Sequence, residues 1–309
     1  MRVTGITSPH PSPITRPRLA DWRGLALAAA GAIAFSGKAI IVKLAYRHGV
    51  DAVTLIMWRM LIALPLFLAL AWWAGRGQPA LSGRDRWAVL GLGFSGYYLA
   101  SQLDFMGLAY ISASLERLIL YLGPTIVMAI SVLWFHKRVT GRQWLAAGLS
   151  YLGTVLVFGH EAAAPGANTA WGAALVFGSA VSYALYMVGS GEVVRRLGSL
   201  RLTGLASSVA CGFCLLQFVL LKPLAAAAVP APVLWLSLLN ATACTVAPVL
   251  MVMMAIERIG APLAAQIGMI GPLSTIGMGI MLLGEPFTPL LLVGTALVLG
   301  GVWLLARWR

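Results

Sequence analysis

Residues 115–130 read LERLILYLGPTIVMAI, and residues 263–278 read LAAQIGMIGPLSTIGM. Both stretches are greasy enough for a bilayer, and both are interrupted by the same pair: Gly123-Pro124 and, 148 positions later, Gly271-Pro272. The first stretch opens with Glu116 and Arg117, whereas the second carries no charge. Proline removes a backbone donor and crowds the preceding turn, so a helix bends there. A bend that returns in register asks whether the whole chain is a duplication.

Composition sets the solvent. The 309 residues are 60% hydrophobic and 10% charged, against about 25% charged in a soluble domain. Apolar runs of about 20 residues, enough to cross ~30 Å of hydrocarbon, recur along the chain. Ten helical spans are predicted, near 22–46, 51–74, 86–109, 112–135, 142–159, 170–191, 202–222, 232–255, 262–283 and 289–306. The fold class is all-α integral membrane. Residues 1–20, with Pro9, Pro11, Pro13 and Pro17 among Ser, Thr and Arg, cannot build a core and read as a disordered tail. No secretory signal precedes the first span, which is too long for a cleaved signal core.

The net charge of +13 reads as topology, not as a nucleic-acid surface. Arg2, Arg16, Arg18 and Arg23 precede span 1, and alternate loops hold Arg76, Arg84 and Arg86, then Lys137, Arg138 and Arg142, then Arg195, Arg196 and Arg201. Arg258, Arg307 and Arg309 continue the series, while the intervening loops offer only Arg47 and Lys222. Sixteen against two puts both termini on the cytoplasmic side by the positive-inside rule.

Sliding the chain by 148 positions brings Trp87 onto Trp235, Thr140 onto Thr288 and Gly153 onto Gly301, along with the two Gly–Pro pairs. A shift of 149 brings Trp22 onto Trp171. The domain division follows: a tail over 1–20, one five-span repeat over 21–160, and a second over 161–309. Five is odd, so the second copy enters the membrane from the opposite side. Basic Lys137-Arg138 in one half accordingly becomes Glu285-Pro286 in the other. Inverted repeats of this kind are a common architecture of secondary transporters, with substrate bound near the midplane.

Taken together, the ten spans in two inverted halves, the Trp at the start of each half and the Gly–Pro pairs of spans 4 and 9 resemble the EamA-type members of the drug/metabolite transporter superfamily. The similarity covers residues 20–308. Among relatives, the chain most resembles the bacterial exporters of aromatic and other neutral amino acids. That resemblance implies a central cavity lined by spans 1, 3, 4, 6, 8 and 9, a small-molecule cargo, an inner-membrane location and no cofactor. The oligomeric state stays open.

Charges buried in a span need a reason, because each costs about 2.5–3.5 kcal/mol at the centre of a helix on insertion scales. Lys38 lies about 12 Å in from the outer end of span 1 at 1.5 Å per residue, with Arg59 comparably deep and Asp104, Glu116 and Arg117 shallower. All five belong to the first half. Arg59 and Arg117 are read as structural partners of Asp104 and Glu116, while Lys38 is either a further structural pair or the group that holds a substrate carboxylate. Tyr98 and Gln102, four apart on span 3, and Ser182 and Tyr186 on span 6 share faces. With Tyr183, Tyr121, Asn240 and Gln266 they form the candidate substrate-binding set, ordinary interhelical packing being the competing reading. Gly123, Pro124, Gly271 and Pro272 are the candidate hinges. The small-residue stripe Gly24, Ala28, Ala32, Ser36 reads as a helix–helix seam.

Other chemistries fare worse. Gly93-Phe94-Ser95-Gly96 resembles the serine motif of rhomboid-type intramembrane proteases, but such a serine needs a base, and His10, His48, His136 and His160 all fall in the tail or at loops. Cys211-Gly-Phe-Cys214 has a metal-like spacing without further Cys or His neighbours, so the three cysteines, Cys244 included, read as core. Metal and enzyme readings therefore lapse. Multidrug efflux is the alternative, with nucleotide-sugar or sugar-phosphate exchange behind it; the four-span drug exporters of the superfamily rely on a Glu in span 1, where this chain has Lys38.

Overall fold

The computed structural model describes residues 21–135, 139–163, 168–259, 264, 267–268 and 270–307. Gln266 lies outside the described residues, as do the tail and Lys137-Arg138. Ten helical rods run through the described residues, and their order matches the ten predicted spans. Span 1 is Trp22–Tyr46, span 2 Ala52–Gly75, and span 3 Gly83–Leu92 continued through Ala100–Leu108. Span 4 is split into Ala113–Leu120 and Gly123–Phe135, and span 5 is Gly141–Ala162. Span 6 is Thr169–Leu197, span 7 Ser199–Leu221, and span 8 Ala231–Ala241 continued through Ala247–Ile259. Span 9 is Ile270–Met278 with Gly279–Leu283, and span 10 is Pro289–Arg307. Seven of these rods are by themselves long and apolar enough to cross a membrane; spans 3, 5 and 9 are the shorter or more polar members.

Local chemistry sets the ends. Asp51 accepts from Val53 N–H and Thr54 N–H at the start of span 2, and Ser82 and Ser112 cap spans 3 and 4. Thr140 and Gln143 form a reciprocal capping box on span 5. Gly284, left-handed at φ 73°, ends span 9 and turns the chain into Glu285. Span 6 runs six residues beyond its predicted end at 191, because Arg195 and Arg196 lie on a helix that has left the apolar layer: Arg196 pairs with Asp85 at 2.9 Å and with Glu192 at 2.6 Å.

The packing is pseudo-symmetric. Span 1 lies against spans 8 and 9, and its repeat mate, span 6, lies against spans 3 and 4. Spans 2 and 7 pair with each other, as do spans 5 and 10. The register agrees to the residue. A Cβ placed on Gly24 would sit 2.5 Å from Ile259, and one on Gly172 would sit 2.9 Å from Ile111; adding 148 to 24 and to 111 gives 172 and 259. Spans 3 and 8 also widen at equivalent places, Gly93–Leu99 and Thr242–Val246. Apolar association supplies no force between helices surrounded by lipid tails, so close approach at small residues carries the assembly. Trp22, Trp87, Trp171 and Trp235, which the repeat aligns, all face outward, as interfacial anchors do.

Candidate functional site

The cavity starts at the first-half ions. Lys38 donates to Asp104 and stands 3.6 Å from Glu116, whose other oxygen is 3.8 Å from Arg117 Nε. All these side chains are buried, Glu116 completely. The pairing differs from the expected one. Lys38 is the partner of Asp104, Glu116 is shared between Lys38 and Arg117, and Arg59 has no carboxylate within ion-pair distance among the described residues. Span 1 presents Lys38 to spans 3 and 4 at once, whereas Arg59 on span 2 faces span 8, where its Nε donates to Thr245 Oγ1 at 3.1 Å and its guanidinium lies 5.2 Å from the Phe105 ring. Arg117 Nε likewise donates to Thr275 Oγ1 of span 9 at 3.0 Å. Second-half threonines thus orient first-half arginines.

Two joined chambers lead away from this cluster. The inner one, about 290 Å³, is lined by Lys38, Arg59, Asp104, Arg117, Tyr97 and Thr245 among others. The larger, about 640 Å³, shares Phe35, Tyr97, Arg117, Tyr121 and Tyr183 with it and runs past Tyr186 and Met187 to Val194 and Ser199, at the junction of spans 6 and 7. Phe35 and Tyr183 are each more than 40% exposed, and that exposed surface borders the cavity. The walls are aromatic: Tyr97 and Tyr186 meet edge-on with hydroxyls 3.3 Å apart, and Tyr183 stacks obliquely on Tyr186.

Toward the opposite face the passage is shut. Ala39, Ile40, Val42, Ala45, Phe105 and Leu108 are buried beyond Lys38. Two carboxylates clamp the start of span 4: Glu161 accepts from Ser112 N–H at 3.1 Å, and Glu285 accepts from Ala113 N–H at 2.7 Å and from the Ser114 hydroxyl at 2.6 Å. Charge at a helix N-terminus is favourable there. Glu161 and Glu285 were not candidates from sequence, since a loop acid gives no sign of the helix end it will reach.

The candidate residues divide. Lys38, Tyr121, Tyr183 and Tyr186 line the cavity. Tyr98 does not: it packs on Phe94 and on Phe213 of span 7, and Tyr97 takes the cavity wall instead. The wide turn at Gly93–Leu99, whose bonds reach five residues instead of four, rotates the register that simple four-residue spacing assumed. Ser182 donates to the Ser95 carbonyl at 2.8 Å and joins spans 6 and 3. Gln102 and Asn240 are buried away from both chambers, their amides without partners among the described residues. Of the small-residue stripe, Gly24 packs at a seam, but Ala28, Ala32 and Ser36 border the larger chamber.

The Gly–Pro pairs meet here as well. Span 4 is interrupted between Leu120 and Gly123. Pro272 has no N–H to offer the Gly268 carbonyl four residues back, and the Tyr121 hydroxyl donates to that carbonyl at 2.9 Å. Ser36 donates to the Gly271 carbonyl at 2.8 Å. A side chain of span 4 therefore serves the carbonyl that Pro272 leaves open, and one of span 1 bonds beside it, although the helix Ile270–Met278 runs through the second Gly–Pro pair unbroken.

Two inverted halves around a closed-ended, charged and aromatic cavity describe a carrier. A scan against known families agrees, with the EamA-like transporter family matching twice, over residues 22–159 and 170–307. The chain belongs to the EamA-like transporter family. It is a multi-pass membrane transporter and not an enzyme, and its cargo is a small molecule. The uncharacterized transporter YcbK of Bacillus subtilis (strain 168) is 30% identical over 281 residues, 88% of each chain. A crystal structure 18% identical in sequence superposes with a TM-score of 0.62 over 92% of this chain and 98% of its own, a likeness of fold alone.

Proposed function

We propose that this EamA-family transporter exports amino acids, aromatic and other neutral ones first, or similar small metabolites, by alternating access. The cavity carries this reading: an aromatic-walled space wide enough for a side chain ends on a buried group of ions suited to a polar head. Counterflow in proteoliposomes tests it. Internal unlabelled phenylalanine, tyrosine or leucine should drive uptake of the labelled species, whereas counterflow by lipophilic cations or nucleotide sugars alone would reject amino acids as cargo.

The orientation proposed is that of a bacterial inner-membrane protein with both termini cytoplasmic and the repeats dividing near residue 160. The larger chamber opens beside Arg195, Arg196 and Arg201, so on this orientation it faces the cytoplasm, ready to load for export. Single cysteines at Thr140 and Thr288 of a cysteine-free background should label from opposite sides of the membrane. Labelling of both by an impermeant reagent in intact cells would overturn the inverted arrangement.

The two Gly–Pro pairs are proposed as the pivots. The Tyr121 hydroxyl bonded to the Gly268 carbonyl ties one pair to the other, which supports their moving together. Replacing Pro124 and Pro272 by Ala together should slow counterflow several-fold while equilibrium binding stays intact; unchanged flux would refute the pivot.

A further inference from the structure

Two guanidinium groups border the cavity with only part of their donors met. Arg117 and Arg59 are both more than nine-tenths buried, and both border the 290 Å³ chamber. Their Nε atoms are occupied by Thr275 and Thr245, but Arg117 Nη2 and Arg59 Nη1 have no hydrogen-bond partner among the described residues. Buried donors left open are costly, more so when charged. Of the two carboxylates nearby, Asp104 is bonded to Lys38, and Glu116 is shared between Lys38 at 3.6 Å and Arg117 Nε at 3.8 Å without a hydrogen bond to either among the described residues. Among the described residues, Lys38, Arg59 and Arg117 share the cluster with Asp104 and Glu116, three cations against two anions.

We propose that Arg117, assisted by Arg59, is the carboxylate subsite of this cavity, and that the cargo is a monocarboxylate with an apolar or aromatic body. Lys38 is then the internal counter-ion of Asp104 and Glu116, not the ligand group. A guanidinium presents a planar fork that a carboxylate matches with two parallel bonds, which an ammonium does not. The incoming carboxylate supplies the third anion and bonds the guanidinium where it borders the chamber. Its body lies along Phe35, Tyr97, Tyr121 and Tyr183, which line both chambers. Asp104 borders the same chamber and can accept from an ammonium where the cargo has one. The assignment rests on the transporter reading but not on the cargo being an amino acid.

Calorimetric titration of the purified full-length protein with three probes decides it: L-phenylalanine, 3-phenylpropionate and L-phenylalaninamide. Both carboxylates are expected to bind saturably, and the amide at least about tenfold more weakly, the scale of one lost charge-assisted hydrogen bond. Arg117→Gln should abolish that preference, and Arg117→Lys should restore it only in part. Should Arg117→Gln fail to fold, the wild-type comparison of acid with amide still decides. Binding of 3-phenylpropionate without phenylalanine upholds the subsite and rejects the amino-acid cargo. Equal binding of phenylalanine and its amide, or no saturable binding by either carboxylate, overturns the subsite; in the first of those cases amino-acid transport stands.

Discussion

Lys38→Met is expected to cost the protein most of its stability margin. The substitution removes the close partner of Asp104 and one of the two cations beside Glu116, both carboxylates being buried. Breaking a buried ion pair from one side typically costs about 3–5 kcal/mol, because the remaining charge is stranded. In lipid, neither span 3 nor span 4 can expose its acid to bulk water without leaving its place in the bundle. The measurement is the thermal unfolding midpoint in detergent together with the folded yield. The double variant Lys38→Met with Asp104→Asn should recover part of the loss, since it removes the stranded charge along with its partner. A single variant as stable as the parent would show that the cluster contributes little to the fold. The effect is separable from that of Arg117→Gln, which leaves the Lys38–Asp104 pair in place and is read by ligand preference.

Gly107→Val is expected to be nearly as damaging, for a steric reason. Spans 3 and 6 approach so closely there that even a Cβ would lie 2.5 Å from Val176 Cγ2 and 2.8 Å from the Gly172 carbonyl oxygen. A side chain can rotate away, but a backbone carbonyl in a helix cannot. Overpacking a dense site costs about 1–3 kcal/mol, and a clash with backbone belongs at the upper end. Span 6 carries Tyr183 and Tyr186, so any displacement also shifts the cavity wall. Gly148→Val is the control: a Cβ at Gly148 meets nothing within 4 Å. Thermal unfolding and counterflow should both fall for Gly107→Val and stay near parental values for Gly148→Val. Equal behaviour of the two would mean that spans 3 and 6 do not meet as described.

Much of the architecture was written in local and periodic features. Apolar run length, alternation of Arg and Lys between loops, and the 148-residue return of Trp87, Gly123-Pro124 and Thr140 each depend on one stretch of chain meeting one solvent. Span positions came out to within a few residues for that reason, and span 6 departs by six, past residue 191, where the helix emerges and hydropathy no longer marks it. The presence of five mid-span charges in the first half, and none in the second, was equally legible.

What only the tertiary structure decided is who faces whom. Each rod can rotate about its axis without changing its hydropathy, and that rotation gave Asp104 to Lys38, left Glu116 between Lys38 and Arg117, and aimed Arg59 and Arg117 at threonines of the other half. One wide turn in span 3 put Tyr97 on the cavity and sent Tyr98 against Phe213. The reach of Glu285 to the start of span 4 joins residues 172 positions apart. Spacing along a helix names the residues that share a face; the partner of that face is set by packing among ten rods at once, and no single span contains that information.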